Sequence, residues 1–180
     1  DYAANMQRLQ SLAARTGQTV LLYNGQPAAA CYHAISSGHT EASQNVWGGQ
    51  LPYLCGVDSA WDKFADGYEV TIQYSAEQVR TALEELGLTP DDSPESWVGA
   101  STWDKAGYVR TLELCGQMVS GLEVRKALDL RSTCFAIAWR GGQFVITTRG
   151  YGHGVGLSQY GAKAMAEGGA SWEDILGYYF

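Results

Sequence analysis

Apolar residues recur along the chain with two spacings, one typical of helices and one typical of strands. Helical spacing, in places opened by a Ser-x-x-Gln or Ser-x-x-Glu capping box, predicts modest helices at residues 2–15, 75–86, 120–129 and 158–167, and a short one opened by Ser171. Alternating or short apolar runs predict strands at residues 19–23, 27–35, 68–74, 97–103, 108–114, 135–139 and 144–148. Asn24-Gly25 and Gly141-Gly142 each separate two of these strands, which predicts two hairpins.

These elements indicate an α+β fold: a single domain over residues 1–180 with short, mostly antiparallel strands, three or four modest helices and long glycine-rich loops. Strands and helices do not alternate as βαβ units, and neither a P-loop nor a complete dinucleotide-binding fingerprint occurs. Residues 88–95 form an acidic stretch that contains proline, so we place a weak internal boundary there.

Composition and charge narrow the possible partners. The chain is 46% hydrophobic and 17% charged, which excludes a disordered or fibrous protein. Lys and Arg number 12 against 19 Asp and Glu, and a net charge of -7 repels phosphate, so we expect no nucleic-acid partner. No apolar run is long enough to span a membrane. The 22 glycines and the many Trp and Tyr residues suit a groove that binds flat or polar molecules such as sugar rings, or aromatics buried in a β-rich core.

The four cysteines form two pairs that are local in sequence. Disulfides Cys31–Cys55 and Cys115–Cys134 are the simplest of the three possible connectivities. Free buried thiols are an equal alternative. Cys31, His33 and Cys55 also supply three zinc-ligand types, although their spacing matches no standard structural site, and we expect no metal on this chain.

Two segments concentrate candidate chemistry, residues 32–41 and 149–162. Each places a histidine among glycines and hydroxyl groups just after a predicted strand, where polar loops often form sites. Glu41 lies beside His39, and no other carboxylate occurs between Asp1 and Asp58. A carboxyl in a partly desolvated pocket can keep a raised pKa and act as a general acid. The alternative is that Glu41 caps or salt-bridges its own loop.

The remaining candidates are polar or aromatic side chains in or near these segments. Ser37 with His39 or His153 has the composition of a nucleophile–base pair, but no G-x-S-x-G nucleophile elbow is present. His153 lies between two glycines, either as a turn residue or as a substrate contact. We predict that residues 36–41 and 150–160 of these segments converge on one groove, with substrate contacts from Ser36, Ser37, His39, Thr40, Trp47, Tyr53, His153, Gln159 and Tyr160.

Three stretches carry a resemblance to a known family: S-S-G-H-T-E at 36–41, V-W to P-Y-L at 46–54, and R-G-Y-G-H-G-V-G-L-S-Q-Y-G-A at 149–162. With these stretches the chain closely resembles, nearly end to end, the stage II sporulation protein D family (SpoIID/LytB). This family comprises cell-wall proteins of endospore-forming bacteria and their relatives.

The resemblance implies a peptidoglycan lytic transglycosylase that acts on glycan strands during spore engulfment. Such an enzyme cleaves the MurNAc–GlcNAc linkage without water and leaves a 1,6-anhydro product, so one glutamic acid suffices. The alternative is a non-catalytic wall-binding or amidase-enhancing module of the LytB type, and a structural partner domain in a sporulation complex is a third reading.

The resemblance also implies where the catalytic acid lies. Family members carry an upstream half with an Ala-Glu-Met-Pro-like motif, and no Glu-Met-Pro occurs in these 180 residues. We therefore expect the chain alone to be inactive, with Glu41 as a glycan-orienting residue and only a secondary catalytic candidate. No cofactor is expected on this chain, and the zinc of some members belongs to the upstream half. The expected partners are peptidoglycan strands and other wall-remodelling proteins, in the extracytoplasmic envelope, with a membrane anchor upstream.

Overall fold

Short helices and strands form throughout residues 1–15 and 19–180, the part of the chain that the computed structural model describes. The α-helices are α1 (Tyr2–Arg15), α2 (Ser43–Trp47), α3 (Ala76–Glu85), α4 (Gly121–Ala127), α5 (Gln159–Glu167) and α6 (Trp172–Tyr179), with 3-10 turns at Ala60–Phe64 and Pro94–Ser96. The strands are β1 (Leu22–Tyr23), β2 (Gln26–Pro27), β3 (Tyr32–His33), β4 (Glu69–Tyr74), β5 (Val98–Trp103), β6 (Val109–Leu114), β7 (Gln117–Ser120), β8 (Phe135–Arg140), β9 (Gln143–Arg149) and β10 (Leu157–Ser158). None of the described helices is both long and apolar enough to cross a membrane.

Backbone contacts divide the chain into two units, Asp1–Ala30 and Cys31–Phe180. The first unit contains α1, whose side chains are all accessible, and the hairpin β1–β2. Asn24 and Gly25 both have positive φ (50° and 73°), as a two-residue type I′ turn requires. The predicted helix stop at Gly17 lies outside the described residues.

Two three-stranded antiparallel sheets form the framework of the second unit. One has the strand order β4–β9–β8, and Ile146 of its central strand lies opposite Ile72 on one side and Ile137 on the other. The other sheet has the order β5–β6–β7. Capping boxes at Ser75 and Ser120 open α3 and α4, because each serine hydroxyl accepts from the N3 amide.

The hydrophobic core lies among these two sheets and the helices α3 and α4. Trp97 and Phe144 are almost completely buried and stack with ring centroids 5.6 Å apart. The Trp97 indole donates to Asp91 Oδ1 over 2.9 Å, so its single polar group is satisfied. The core also contains Val79, Leu83, Leu112, Leu114, Val124 and Ile146.

The α+β class is confirmed, and most long elements lie where the periodicity predicts them. The predicted strand at 27–35 is wrong: only Gln26–Pro27 pairs with β1, whereas β3 pairs in parallel with β10. The described residues also form more helices than expected, because α2 and the turn at Ala60–Phe64 are too short to show a period. Residues 88–95 lie inside the second unit, where Arg80 Nη1 donates to Pro90 O over 2.9 Å.

We predict that Phe144→Ala strongly destabilises the second unit. The change removes a ring that contacts Trp97 and Trp139 and leaves a cavity, so the free energy of unfolding should fall by about 3–5 kcal/mol in urea titrations. Phe64→Ala is the matched control, since that ring is 88% exposed, and should change stability by less than about 0.5 kcal/mol. Equal losses in the two variants would contradict this description of the core.

Candidate functional site

The two motif segments lie side by side, although more than a hundred residues separate them. Ile35 and Tyr151 exchange backbone hydrogen bonds of 3.1 and 2.7 Å, and the Glu41 amide donates to Gly154 O over 2.7 Å. At the base of this contact, β3 and β10 pair Tyr32 with Leu157. Backbone contact therefore joins residues 36–41 to residues 150–160, while the groove predicted there stays a prediction.

Glycine is required where the segments touch most closely. Gly154 has φ +80°, and a Cβ there would lie 2.7 Å from the Tyr108 hydroxyl and 3.3 Å from Glu41 Cβ. A side chain at this position would push apart Tyr108 and Glu41. The glycine density of the second segment thus permits backbone-to-backbone approach.

The carboxyl group of Glu41 is enclosed by protein groups. The side chain is 6% exposed, and its Oε1 accepts from the Ala42 amide and from Asn45 Nδ2, each at 2.7 Å. Its Oε2 accepts from Arg110 Nη2 at 2.9 Å. Both oxygens therefore have partners within the chain, and Glu41 fixes the loop to α2 and to β6.

Arg110 forms ion pairs with two carboxyl groups. Its Nη2 lies 2.7 Å from Asp104 Oδ2 and 2.9 Å from Glu41 Oε2. One guanidinium offsets only one of two negative charges, and burial penalises the other. The pKa of Glu41 is accordingly raised to about 7. Desolvation is the larger cause, and the hydrogen bond with the Asp104 side chain is the second.

A second buried carboxylate, Asp62, accepts a hydrogen bond from each of the two segments. It is completely buried; Oδ2 accepts from the Ser36 amide at 2.9 Å, and Oδ1 accepts from Ser158 Oγ at 2.8 Å. Ser36 belongs to the first segment and Ser158 to the second. Nearby, Ser59 and Tyr179 share a hydrogen bond of 2.8 Å that brings α6 to the same region.

His33, His153 and Trp47 form a ring cluster beside Glu41. The His153 ring lies 5.7 Å from His33 and 5.2 Å from Trp47, measured between centroids. Burial lowers the pKa of His33 to about 4, and desolvation also lowers the pKa of His153. Both rings are consequently neutral near pH 7. His33 Nδ1 donates to Val155 O, and its buried Nε2 meets no hydrogen-bond partner among the described residues.

The predicted contact residues fall into two groups. Ser36, Ser37 and Thr40 are buried and hold the loop; Ser37 Oγ, for example, donates to Ala106 O at 2.8 Å. The other group presents accessible surface: Trp47, Gln159 and Tyr160 are exposed, and His39, Tyr53 and His153 are partly so. Their role in binding substrate stays a prediction.

Sequence reasoning missed Asp62, Asp104, Tyr108 and Arg110. Tyr108 accepts from the Ser37 amide and donates to His39 O, both at 3.1 Å, so it braces the first segment. These residues lie outside both motifs, and each reaches its partner through tertiary contact. The alternating apolar pattern of residues 108–114 indicates a strand, but nothing in it shows what Arg110 faces.

All four cysteines are free thiols, so the predicted disulfides Cys31–Cys55 and Cys115–Cys134 are not formed. The Val109 amide at the start of β6 donates to Thr133 O, so Cys134, the next residue, lies near that end of the strand. Cys115 follows the other end of β6, about 20 Å away at the rise per residue of a strand. Cys31 lies beside β10, and Cys55 pairs with Ala42. Within residues 1–15 and 19–180, no group of three or more His, Cys, Asp or Glu side chains is placed to hold a metal ion.

Comparison with known proteins supports the resemblance. No protein-family model matches the chain. The chain is 36% identical over 180 residues to stage II sporulation protein D of Bacillus subtilis (strain 168). The alignment covers 99% of the chain and 51% of that protein. The corresponding protein of Bacillus amyloliquefaciens is 37% identical, with 100% of the chain and 51% of that protein covered.

A more distant relative is the amidase enhancer of Bacillus subtilis (strain 168), 26% identical over 92% of the chain and 31% of that protein. The chain spans about half the length of the two stage II sporulation protein D relatives. Over its whole length it is similar to that part of them, which confirms the resemblance to the SpoIID family.

We predict that Asp62→Asn destabilises the protein. Both Asp62 oxygens accept hydrogen bonds, and an amide would turn an NH2 group toward one of the two donors. The free energy of unfolding should fall by about 1–3 kcal/mol in urea titrations. Asp66→Asn, at an exposed position, is the control, and equal stability of the two variants would contradict the anchoring role of Asp62.

We predict a pH-dependent contribution of Glu41 to stability. Its pKa is raised from 4.5 to about 7 in the folded protein, so the folded state holds a proton that the unfolded chain releases within this window. The stabilising contribution is therefore lost as pH rises from about 4.5 to about 7. Glu41→Gln should remove this pH dependence in urea titrations at about pH 5 and about pH 8.

The control for this titration is Glu95→Gln, at an exposed position, which should follow the wild-type pH profile. A wild-type protein that gains stability over Glu41→Gln as pH rises would show instead that Arg110 keeps Glu41 ionised in the folded state.

Proposed function

We propose that this chain forms the glycan-contacting part of a sporulation protein that acts on cell-wall peptidoglycan as a lytic transglycosylase. The similarity to stage II sporulation protein D and to an amidase enhancer supports a role at the cell wall. One observation carries the proposal: backbone hydrogen bonds join the two motif segments beside Glu41 and the ring cluster. Its place of action would be outside the cytoplasmic membrane, where peptidoglycan lies.

The surface beside Glu41 has the chemistry that sugar recognition needs. Trp47 is 50% exposed and lies 5.2 Å from the His153 ring between centroids, and aromatic faces stack on the apolar faces of pyranose rings. The neighbouring imidazole of His153 adds no full charge near pH 7, because desolvation lowers its pKa, and the ring is oriented by the Val155 amide, which donates to Nδ1 at 3.0 Å. Uncharged polar groups with accessible aromatics suit a neutral glycan strand better than a phosphorylated ligand.

The proposed reaction needs a single carboxyl group that acts twice. As an acid it protonates the oxygen that leaves C1 of MurNAc, and the MurNAc–GlcNAc bond breaks. As a carboxylate it then removes the proton of the MurNAc 6-hydroxyl, whose oxygen bonds to C1 and closes the 1,6-anhydro ring. No water is consumed, and the carboxyl group ends with the proton that it began with.

Glu41 has the raised pKa of such an acid but not its accessibility. Its carboxyl group is enclosed by Ala42, Asn45 and Arg110, and the side chain is 6% exposed. We therefore assign Glu41 as a positioning residue that holds the first segment against Gly154. The acid itself would come from the upstream half that the family resemblance implies.

We predict that the 180-residue chain alone releases no 1,6-anhydro-muropeptides from purified peptidoglycan, as measured by mass spectrometry. A longer protein that includes an upstream half like that of the sporulation relatives should release them. Clear release by the chain alone, abolished in Glu41→Gln, would contradict this assignment and make Glu41 the catalytic acid.

A second candidate function is a non-catalytic module that binds the wall and enhances an amidase. The 26% identity to an amidase enhancer favours it. The same digestion separates the two functions: a longer protein that yields no anhydro products, yet raises the rate of peptide release by an added amidase, would support the module.

A further inference from the structure

The 3-10 turn Ala60–Phe64 and the helix α5 form a small aromatic groove on the surface. Its volume is about 190 Å³, and it is lined by Trp61, Phe64, Ala65, Asp66, Tyr160, Lys163, Ala164 and Glu167. None of the residues that enclose Glu41 or form the ring cluster is in this lining. The groove therefore lies outside the site described above.

The geometry of the turn directs two aromatic rings to the surface. Because a 3-10 helix has three residues per turn, Trp61 and Phe64 lie on the same side, one above the other. Asp62 points inward, where it accepts from Ser36 and Ser158. Trp61 is 49% exposed and Phe64 is 88% exposed, so two large apolar rings face solvent next to a completely buried carboxylate.

The helix α5 supplies the second wall of the groove. Four residues spaced i, i+3, i+4 and i+7 line it from one helical face: Tyr160, Lys163, Ala164 and Glu167. The neighbouring Gly161 packs against the turn, because a Cβ there would overlap Ser59 Oγ and lie 3.4 Å from Asp62 Oδ1. Asp62 also accepts from Ser158, the N-cap of α5, so buried contacts hold the two walls together.

The charges in the lining limit which ligands the groove favours. One lysine, Lys163, stands against two carboxylates, Asp66 and Glu167, and Lys163 Nζ lies 3.7 Å from Glu167 Oε1. In the described part of the chain, residues 1–15 and 19–180, no ion pair includes Asp66. The net charge of the lining is therefore negative, which disfavours phosphate, anionic lipid and any sugar that carries a carboxylate.

Exposed rings beside a carboxylate match an uncharged sugar. Trp61 and Phe64 offer aromatic faces to the apolar face of a pyranose ring, and Asp66 accepts hydrogen bonds from its hydroxyl groups. An apolar protein segment would instead desolvate the Asp66 carboxylate without a donor, which is costly. The groove is smaller than the about 300–1,000 Å³ pockets that enclose a whole small molecule, so it fits one ring of a longer chain.

We propose that this groove is a second sugar-binding site, which takes an N-acetylglucosamine ring stacked on Trp61 and Phe64. In a glycan strand of peptidoglycan the GlcNAc rings are uncharged, whereas each MurNAc bears a carboxylate or a peptide. The proposal rests on the proposed function only in taking the strand to be peptidoglycan. Tyr160 belongs both to the groove and to the second motif segment. A ring held here therefore raises the effective concentration of the rest of the strand near that segment.

The test uses the uncharged tetramer of β-1,4-linked N-acetylglucosamine and the 180-residue chain. The Kd is measured from the shifts of the backbone amide NMR signals of α5. Trp61→Ala should raise the Kd about ten-fold, the effect of losing one ring stack, and Trp61→Phe should restore most of the affinity. Phe64→Ala should also raise the Kd, and an unchanged free energy of unfolding in this variant would show that the loss is not caused by unfolding.

Trp172→Ala is the matched control, because Trp172 is 48% exposed on α6 and does not line the groove. The proposal is overturned if Trp61→Ala binds the tetramer as well as Trp172→Ala does, or if no amide of α5 shifts. Shifts confined to residues 33–47 and 151–155 would also overturn it, and would leave the proposed function standing. Shifts in α5 that depend on Trp61, in a protein whose longer form releases no anhydro product, would support the groove and contradict the proposed function.

Discussion

The carboxylate of Asp62 accepts hydrogen bonds from both motif segments, and the rest of the site depends on this arrangement. It is completely buried, and within the described residues no ion pair includes it. A buried carboxylate without a cation is stable only when donors surround it. The Ser36 amide and the Ser158 hydroxyl are such donors. Because the Asp62 carboxylate needs both of them, it holds both segments in place.

A second buried acid, Glu41, differs from Asp62 because it is paired with a cation. Arg110 bridges Glu41 and Asp104, which joins the first segment to β6. Close contacts that only glycine permits accompany both acids, at Gly154 beside Glu41 and at Gly161 beside Asp62. The exposed ring of Trp47 packs on His153 of the second segment, so an accessible aromatic surface adjoins this buried framework.

Local interactions were predictable from the sequence, whereas the individual partners in distant interactions were not. The boxes at Ser75 and Ser120 and the turn at Asn24-Gly25 depend on residues at most three apart, and each forms as expected. The parallel pair β3–β10 involves two residues on each side, too few to show a period. Glu41 was recognised from its motif, but its role depends on Arg110, whose orientation follows from the packing of β6.

The pairing of the two segments has a consequence for the order of folding. Ser158 and Ala34, which meet beside Asp62, are 124 residues apart, and both core sheets lie between them in the chain. Closing so long a loop is unfavourable until the intervening elements are folded. We expect the site to be assembled last, around a completed core. A nascent chain cannot complete the contacts of Asp62 until Ser158 has left the ribosome, so this surface forms only after both core sheets have been synthesised.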